Sequence, residues 1–225
     1  MGSEFFVYLR LGFEHIADPR GYDHILFIVA LTAMYTPAAW RQVVALVTAF
    51  TVGHSVTLAL ATLGLIRVPG NLIELLIPLT ILATAVLNGV EVWHGAPTAP
   101  AAGTARPMAA AVGDSAKEPR DAVTLTRRDR LTRYALALTF GLIHGLGFSN
   151  FLRAVLGAEA SIVWPLFSFN VGLEIGQIFI VVLVLLATAI ATGLLRAPQR
   201  AWVAALSATS GAVALYLVWQ RMPPT

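Results

Sequence analysis

The chain has 225 residues, of which 57% are hydrophobic and only 12% charged, with a mean hydropathy of +0.76. A soluble domain carries about a quarter charged residues, so this composition excludes a water-soluble globule and implies a lipid bilayer as partner. There is no cysteine, which excludes disulfides and thiolate metal sites, and the net charge of +3 sits mostly in one loop, where topology explains it without nucleic acid.

The length suits an all-α polytopic bundle of about six spans of about 20 residues each, preceded by a short amphipathic helix. The whole of 1–225 reads as one membrane domain. Residues 1–21 form the N-terminal amphipathic segment, with Phe5 to Ala17 expected to lie on the membrane surface. That segment holds Glu4, Arg10, Glu14, Asp18 and Arg20, with no uninterrupted apolar core before a small-residue cleavage site. No cleavable signal peptide is therefore expected. Asp18-Pro19-Arg20-Gly21 makes a turn.

Residues 22–95 hold the first three spans. The first runs from Tyr22 to near Tyr35, where Thr36-Pro37 breaks it. The second covers Val43 to Leu65, closed by Pro69-Gly70, and the third Leu72 to Trp93. Residues 96–128 are rich in Ala, Pro, Gly, Thr and charges and read as a flexible linker. Residues 129–221 hold the last three spans, Leu131 to Leu156, Ile162 to Leu195 and Ala201 to Trp219. The fifth run is too long for a straight crossing, so it either tilts or is broken near Pro165, Gly172 and Gly176.

Of the 15 lysines and arginines, ten fall in the connections one–two, three–four and five–six. Those connections are assigned to the cytoplasm, which leaves both termini outside an integral membrane protein of the bacterial inner-membrane kind. The tryptophans 40, 93, 164, 202 and 219 fall near span ends, as an interfacial belt predicts. Phe50-Thr51-Val52-Gly53-His54 and Phe140-Gly141-Leu142-Ile143-His144 form a faint internal repeat. Each is followed by an asparagine and a glutamate in the next span (Asn71 and Glu74, Asn170 and Glu174), a pattern that fits either two inverted three-helix halves or chance.

Ionisable groups at membrane depth cost at least about 2.5–3.5 kcal/mol for a carboxylate, so each needs an offsetting role. The spans carry Asp23 and His24, His54, Glu74, His144 and Glu174 at similar depths, from the outer interface to the midplane. Neutral imidazoles with carboxylates suit a first-row divalent metal such as nickel, cobalt, zinc or iron. Asn170 and Gln177 are candidates to hold the ligands from behind. A single membrane histidine is more often a hydrogen-bonded packing group; three at one depth with acidic partners favour a site. His15, Glu14 and Asp18 either guide a cation inward or are simply solvated. Glu91 and His94 share a helix face at the inner end, as an interfacial pair or an exit station.

Gly12-Phe13-Glu14-His15-Ile16-Ala17-Asp18-Pro19-Arg20-Gly21-Tyr22-Asp23-His24, Phe50-Thr51-Val52-Gly53-His54-Ser55-Val56-Thr57-Leu58 and Leu142-Ile143-His144-Gly145-Leu146-Gly147-Phe148 resemble the HupE/UreJ family of membrane proteins. The resemblance implies uptake of nickel or related metals. It also implies metal ligation by His15, Asp23 and His24, by His54 and by His144. His15 and Asp23 stand further apart than in the related nickel/cobalt permeases.

The expected function is thus a divalent transition-metal permease rather than an enzyme, with the ion as substrate and a homo-oligomer left open. No G-x4-GK[ST] motif is present, so no nucleotide partner is expected. Two rivals use the same cluster. One is an intramembrane metal-dependent hydrolase, against which stands the absence of an HExxH motif. The other is a non-transporting membrane subunit or metal sensor.

Overall fold

The computed structural model describes residues 2–94, 127–156 and 162–222. Nearly all of the predicted 96–128 linker lies outside them. The described residues are helical, with no strand among them: α1 (Gly2–Ala17), α2 (Tyr22–Thr32), α3 (Trp40–Thr62), α4 (Gly70–Trp93), α5 (Arg127–Gly147), α6 (Ser149–Leu156), α7 (Val163–Ala189) and α8 (Gln199–Arg221). Helices are the expected answer for these apolar runs, because only they satisfy every backbone group within one segment.

Proline and glycine set the ends. Pro69 and Pro198 are the residues immediately before α4 and α8, and Pro165 sits in the first turn of α7, where its missing N–H costs nothing. The end of α3 is a paired cap. Gly64 has φ of +75°, its N–H donates to Ala61 O at 3.0 Å and Leu65 N–H to Leu60 O at 3.0 Å. A left-handed residue is what that turn requires, and glycine supplies it without strain. The long fifth run is not broken at Pro165, Gly172 or Gly176: α7 runs through all three and closes in one wider turn over Ile190–Leu194.

Among the described residues, four helical stretches are long and apolar enough to cross a membrane: Pro37–Thr62, Gly70–Trp93, Val163–Leu194 and Gln199–Arg221. The other two predicted spans take a different form. The first is α2, with 11 residues, about 16 Å long and so roughly half the hydrocarbon thickness. The fourth is divided at Phe148 into α5 and the short amphipathic α6.

The tightest pairings are α3 with α5, α1 with α7, and α4 with α8. In the first, Gly53 lies against Leu138 and Leu142, Gly141 against Phe50, and Gly145 against His54 and Thr57. In the second, Gly12 lies against Phe169 and Leu173, and Gly172 against Leu9. Contacts advance together along both partners in each pair, so α3 runs parallel to α5 and α1 parallel to α7. Small residues permit this backbone approach. The α1 helix is therefore packed lengthwise on another helix along its Tyr8–Gly12–Ile16 face, which is buried.

The centre is filled by Phe27, Leu46, Phe50, Leu58, Ile81, Phe169 and Leu173, while Val86, Val182, Leu186 and Leu215 point outward, as hydrocarbon solvent permits. At the Thr32 end of α2, Asn88 Nδ2 donates to Ala30 O at 2.7 Å, and Arg133 pairs with Glu91. These contacts tie α2, α4 and α5 together at the end remote from the histidines.

A Cβ on Gly145 would overlap the His54 carbonyl oxygen and Thr57 Oγ1, whereas one on Gly89 meets nothing. Gly145→Ala is expected to destabilise by about 1–3 kcal/mol. Gly89→Ala should be neutral or stabilising by about 0.5–1 kcal/mol. Thermal unfolding of the two variants in one detergent checks the contrast.

Candidate metal centre

Four of the five histidines in the sequence converge where α1, α2, α3 and α5 meet. His15 is in the last turn of α1, His24 in the first turn of α2, His54 in the middle of α3 and His144 in the last turn of α5. The rings of His15 and His24 are 4.6 Å apart, His15 and His54 5.9 Å, His24 and His54 6.5 Å, and His24 and His144 5.2 Å. Ring nitrogens of His15, His24 and His54 lie within 4.8 Å of one another. Small side-chain rotations bring such a set to the roughly 3–4 Å separations that an ion bound at about 2.0–2.1 Å needs.

Hydrogen bonding fixes which nitrogens are available. Asp23 Oδ1 accepts the backbone N–H of His24 at 2.9 Å and lies 3.1 Å from His24 Nδ1. A carboxylate only accepts, so Nδ1 carries the proton and Nε2 the lone pair. Thr80 Oγ1 donates its one proton to Ile77 O at 2.7 Å and stands 2.9 Å from His144 Nε2. The His144 ring must therefore donate through Nε2, which leaves Nδ1 as the base. Buried and without a hydrogen-bond partner among the described residues are His15 Nε2, His24 Nε2, His144 Nδ1 and both nitrogens of His54. Each such atom costs about 1–3 kcal/mol when left unmade.

A cavity of about 450 Å³ leads to this cluster. Its walls include Glu14, His15, Asp18, Asp23, His24, Glu74, His144 and Arg221. Beyond the histidines, Asp23 holds His24, Glu74 lines the cavity, and Glu14 and Asp18 line it too. Chemically, an acidic mouth opens on imidazoles whose ring nitrogens have no hydrogen-bond partner among the described residues. That donor set fits a borderline divalent cation.

Glu174, Asn170 and Gln177 stand elsewhere. Thr48 Oγ1 donates to Glu174 Oε1 at 2.6 Å and Thr51 Oγ1 to Gln177 Oε1 at 2.6 Å. Glu174 and Gln177 form a polar seam between α3 and α7, with Asn170 one turn before Glu174 on α7, all three outside the cavity lining. Glu174 Oε2, Gln177 Nε2 and Asn170 Oδ1 have no partner among the described residues. At the far end, Glu91 pairs with Arg133, and His94 is exposed just beyond α4.

Sequence reasoning missed three contributors. Phe148, at the break between α5 and α6, puts its ring 4.0 Å from that of His15 and stacks on Phe169 at 5.1 Å. Thr80 orients His144, and Arg221 reaches Asp23 Oδ2 at 3.5 Å. Only Phe148 gave a signal, following the Gly-Leu-Gly run that ends α5.

A family model described as HupE / UreJ protein matches residues 1–103 and 119–221. No curated protein and no solved structure matches the chain.

Replacing Thr80 by Val removes the acceptor of the His144 proton at nearly constant shape. Thr80→Val is expected to lower the unfolding free energy by about 1–3 kcal/mol, measured by thermal unfolding. Unchanged stability would mean that His144 does not donate there.

Proposed function

Because this chain belongs to the HupE/UreJ family, a nickel/cobalt transporter-like family, we propose that it carries a divalent transition-metal ion across the membrane, with nickel the favoured substrate. The ion is held by His15, His24 and His54, with His144 beside them and Asp23 neutralising charge. The observation that carries this reading is the set of buried imidazole nitrogens without hydrogen-bond partners at the foot of an acidic cavity. A packing role would have satisfied them.

The proposed path has six crossings, the first made of two half-helices. The α1 helix descends along α7, the chain unwinds at Asp18-Pro19-Arg20-Gly21, and α2 continues along α4 as far as Asn88. Support comes from the parallel contacts of α1 with α7, the 11-residue length of α2 and the opening of the turn onto the cavity. Irregular backbone at membrane depth is tolerated where it lines water, and interrupted helices are a common way to build a transport site. The positive end of the α2 dipole disfavours a cation; Asp23, in the first turn, offsets it. Both termini face outside, and the segment 96–128 is cytoplasmic.

Glu174, Gln177 and Asn170 belong to a later step. On α3, Thr51 and Thr48 lie about one and two turns inward of His54, so the seam prolongs the polar track from the cluster towards the cytoplasm. The Arg133–Glu91 pair and the Asn88 contact close the opposite end in this conformation, which leaves the site open outward.

Proteoliposomes loaded with the purified protein should take up nickel, with cobalt, zinc and iron as comparisons. His24→Ala and His54→Ala should each reduce uptake by at least about tenfold. Uptake of none of the four metals, with the protein folded, would overturn the transport reading. Orientation has a separate check, since the chain has no cysteine. Arg67→Cys should react with an impermeant maleimide added outside cells, and Arg196→Cys only after permeabilisation.

A further inference from the structure

One side chain at the cavity is itself a cation. Arg221, the last residue of α8, sends Nη2 to Asp23 Oδ2 at 3.5 Å and Nη1 to the backbone carbonyl of Glu74 at 2.8 Å. The second contact has a reason in the sequence of α4. The Glu74 carbonyl would ordinarily accept from the N–H of residue 78, but residue 78 is Pro78, which has none. The carbonyl is orphaned, and the guanidinium caps it. Arg221 is thereby anchored by one arm to a fixed backbone group. Its other arm rests on the carboxylate that serves His24.

We propose that Arg221 is a built-in competitor for the metal site, so that loading is an exchange of cations at Asp23. The inference rests on the metal-site reading above and names the residue that sets its affinity. In the empty site, the carboxylate would face its water-filled cavity with one oxygen on His24 and the other uncommitted. The guanidinium supplies a positive charge there. At 3.5 Å, with side chains 27% and 16% exposed, the pair is longer than a close charge-assisted contact, as a displaceable one must be. A divalent ion arriving at His24 Nε2 concentrates twice the charge beside Asp23 and takes over the neutralisation. The Nη2 arm is released while Nη1 keeps the side chain at hand to return when the ion moves on. Linkage makes the effect reciprocal: whatever Arg221 contributes to holding Asp23 is subtracted from the ion's affinity. The contact also joins the end of α8 to the start of α2, so loading loosens that junction.

Cobalt(II) titration of the full-length protein in detergent, followed by its visible absorption, tests the exchange. Arg221→Gln is expected to bind cobalt about fivefold more tightly than wild type, the factor corresponding to a weak ion pair. Arg221→Lys, which retains one donor for the Glu74 carbonyl and so guards against misfolding, should lie between the two. Arg20→Gln removes a neighbouring charge that does not contact Asp23 and should leave the affinity within about twofold. Equal or weaker binding by both Arg221 variants overturns the proposal, and so does tightening by Arg20→Gln as large as that by Arg221→Gln. Wild-type cobalt binding that is lost in His24→Ala upholds the metal site whatever Arg221 does. Absence of cobalt binding from wild type and Arg221→Gln alike overturns both readings.

Discussion

The fold is organised around an imidazole problem. His54 and His144 are 0% and 1% exposed, in a bundle whose walls are phenylalanine, leucine and glycine. An uncharged histidine still offers one donor and one acceptor, and the core has too few partners to meet both on every ring. Several buried threonines of the same bundle are satisfied locally: Thr32, Thr57, Thr84 and Thr188 return their hydroxyls to a carbonyl one turn back. The histidine cluster differs in gathering five unpartnered ring nitrogens in one place, where a cavity reaches in from one side.

How close those lone pairs come is decided by glycine. Gly145 lets α5 touch the carbonyl of His54 itself, and Gly53 accepts the backbone of Leu138 and Leu142. The same device on α1 and α7, through Gly12 and Gly172, draws His15 to within ring contact of His24 and His54. A helix with ordinary side chains at these contacts would stand off by several ångströms at the usual 8–10 Å axis separation, too far for one ion to bridge the rings. Close packing and site geometry are thus one property. A substitution that loosens either helix pair acts on the chemistry without touching a ligand.

Much of this was legible in the sequence, in different ways for different residues. The membrane helices follow from hydropathy, and the convergence of His24, His54 and His144 follows from their common depth. His15 was not readable by depth, because α1 carries Arg10 and Glu14 and looks like a surface helix. Its place in the cluster depends on Gly12 burying the opposite face, and only the motif it shares with other members of the family pointed there. Glu174 is the instructive case. Depth put it with the histidines, but depth is one coordinate. The rotation of α7 turns Glu174 and Gln177 towards Thr48 and Thr51, and the three-residue spacing on both helices marks a shared face without saying which helix it meets. Arg221 carried no signal at all. Pro78 announces an orphaned carbonyl at Glu74, yet nothing local says that a residue 147 positions away in the chain will cap it.

A site for a travelling ion has to be weaker than the sum of its ligands. Three imidazoles and a carboxylate around a first-row dication make a set that in a structural protein holds metal almost indefinitely, whereas transport requires binding favourable enough to load and weak enough to leave. Several features of this bundle work against permanence. Among the described residues, Asp23 is the cavity acid engaged with a cluster histidine; on the proposed reading the others attract the ion without trapping it. The ligands come from separate helices, one of them just past an unwound turn, so a small shift of α1 or α2 removes a ligand whole rather than stretching every bond. A guanidinium stands ready beside the one carboxylate that matters. On the exchange proposed above, the carboxylate would not be left bare when the ion departs, and the strength of the site would be a difference between two cations rather than the full attraction of one.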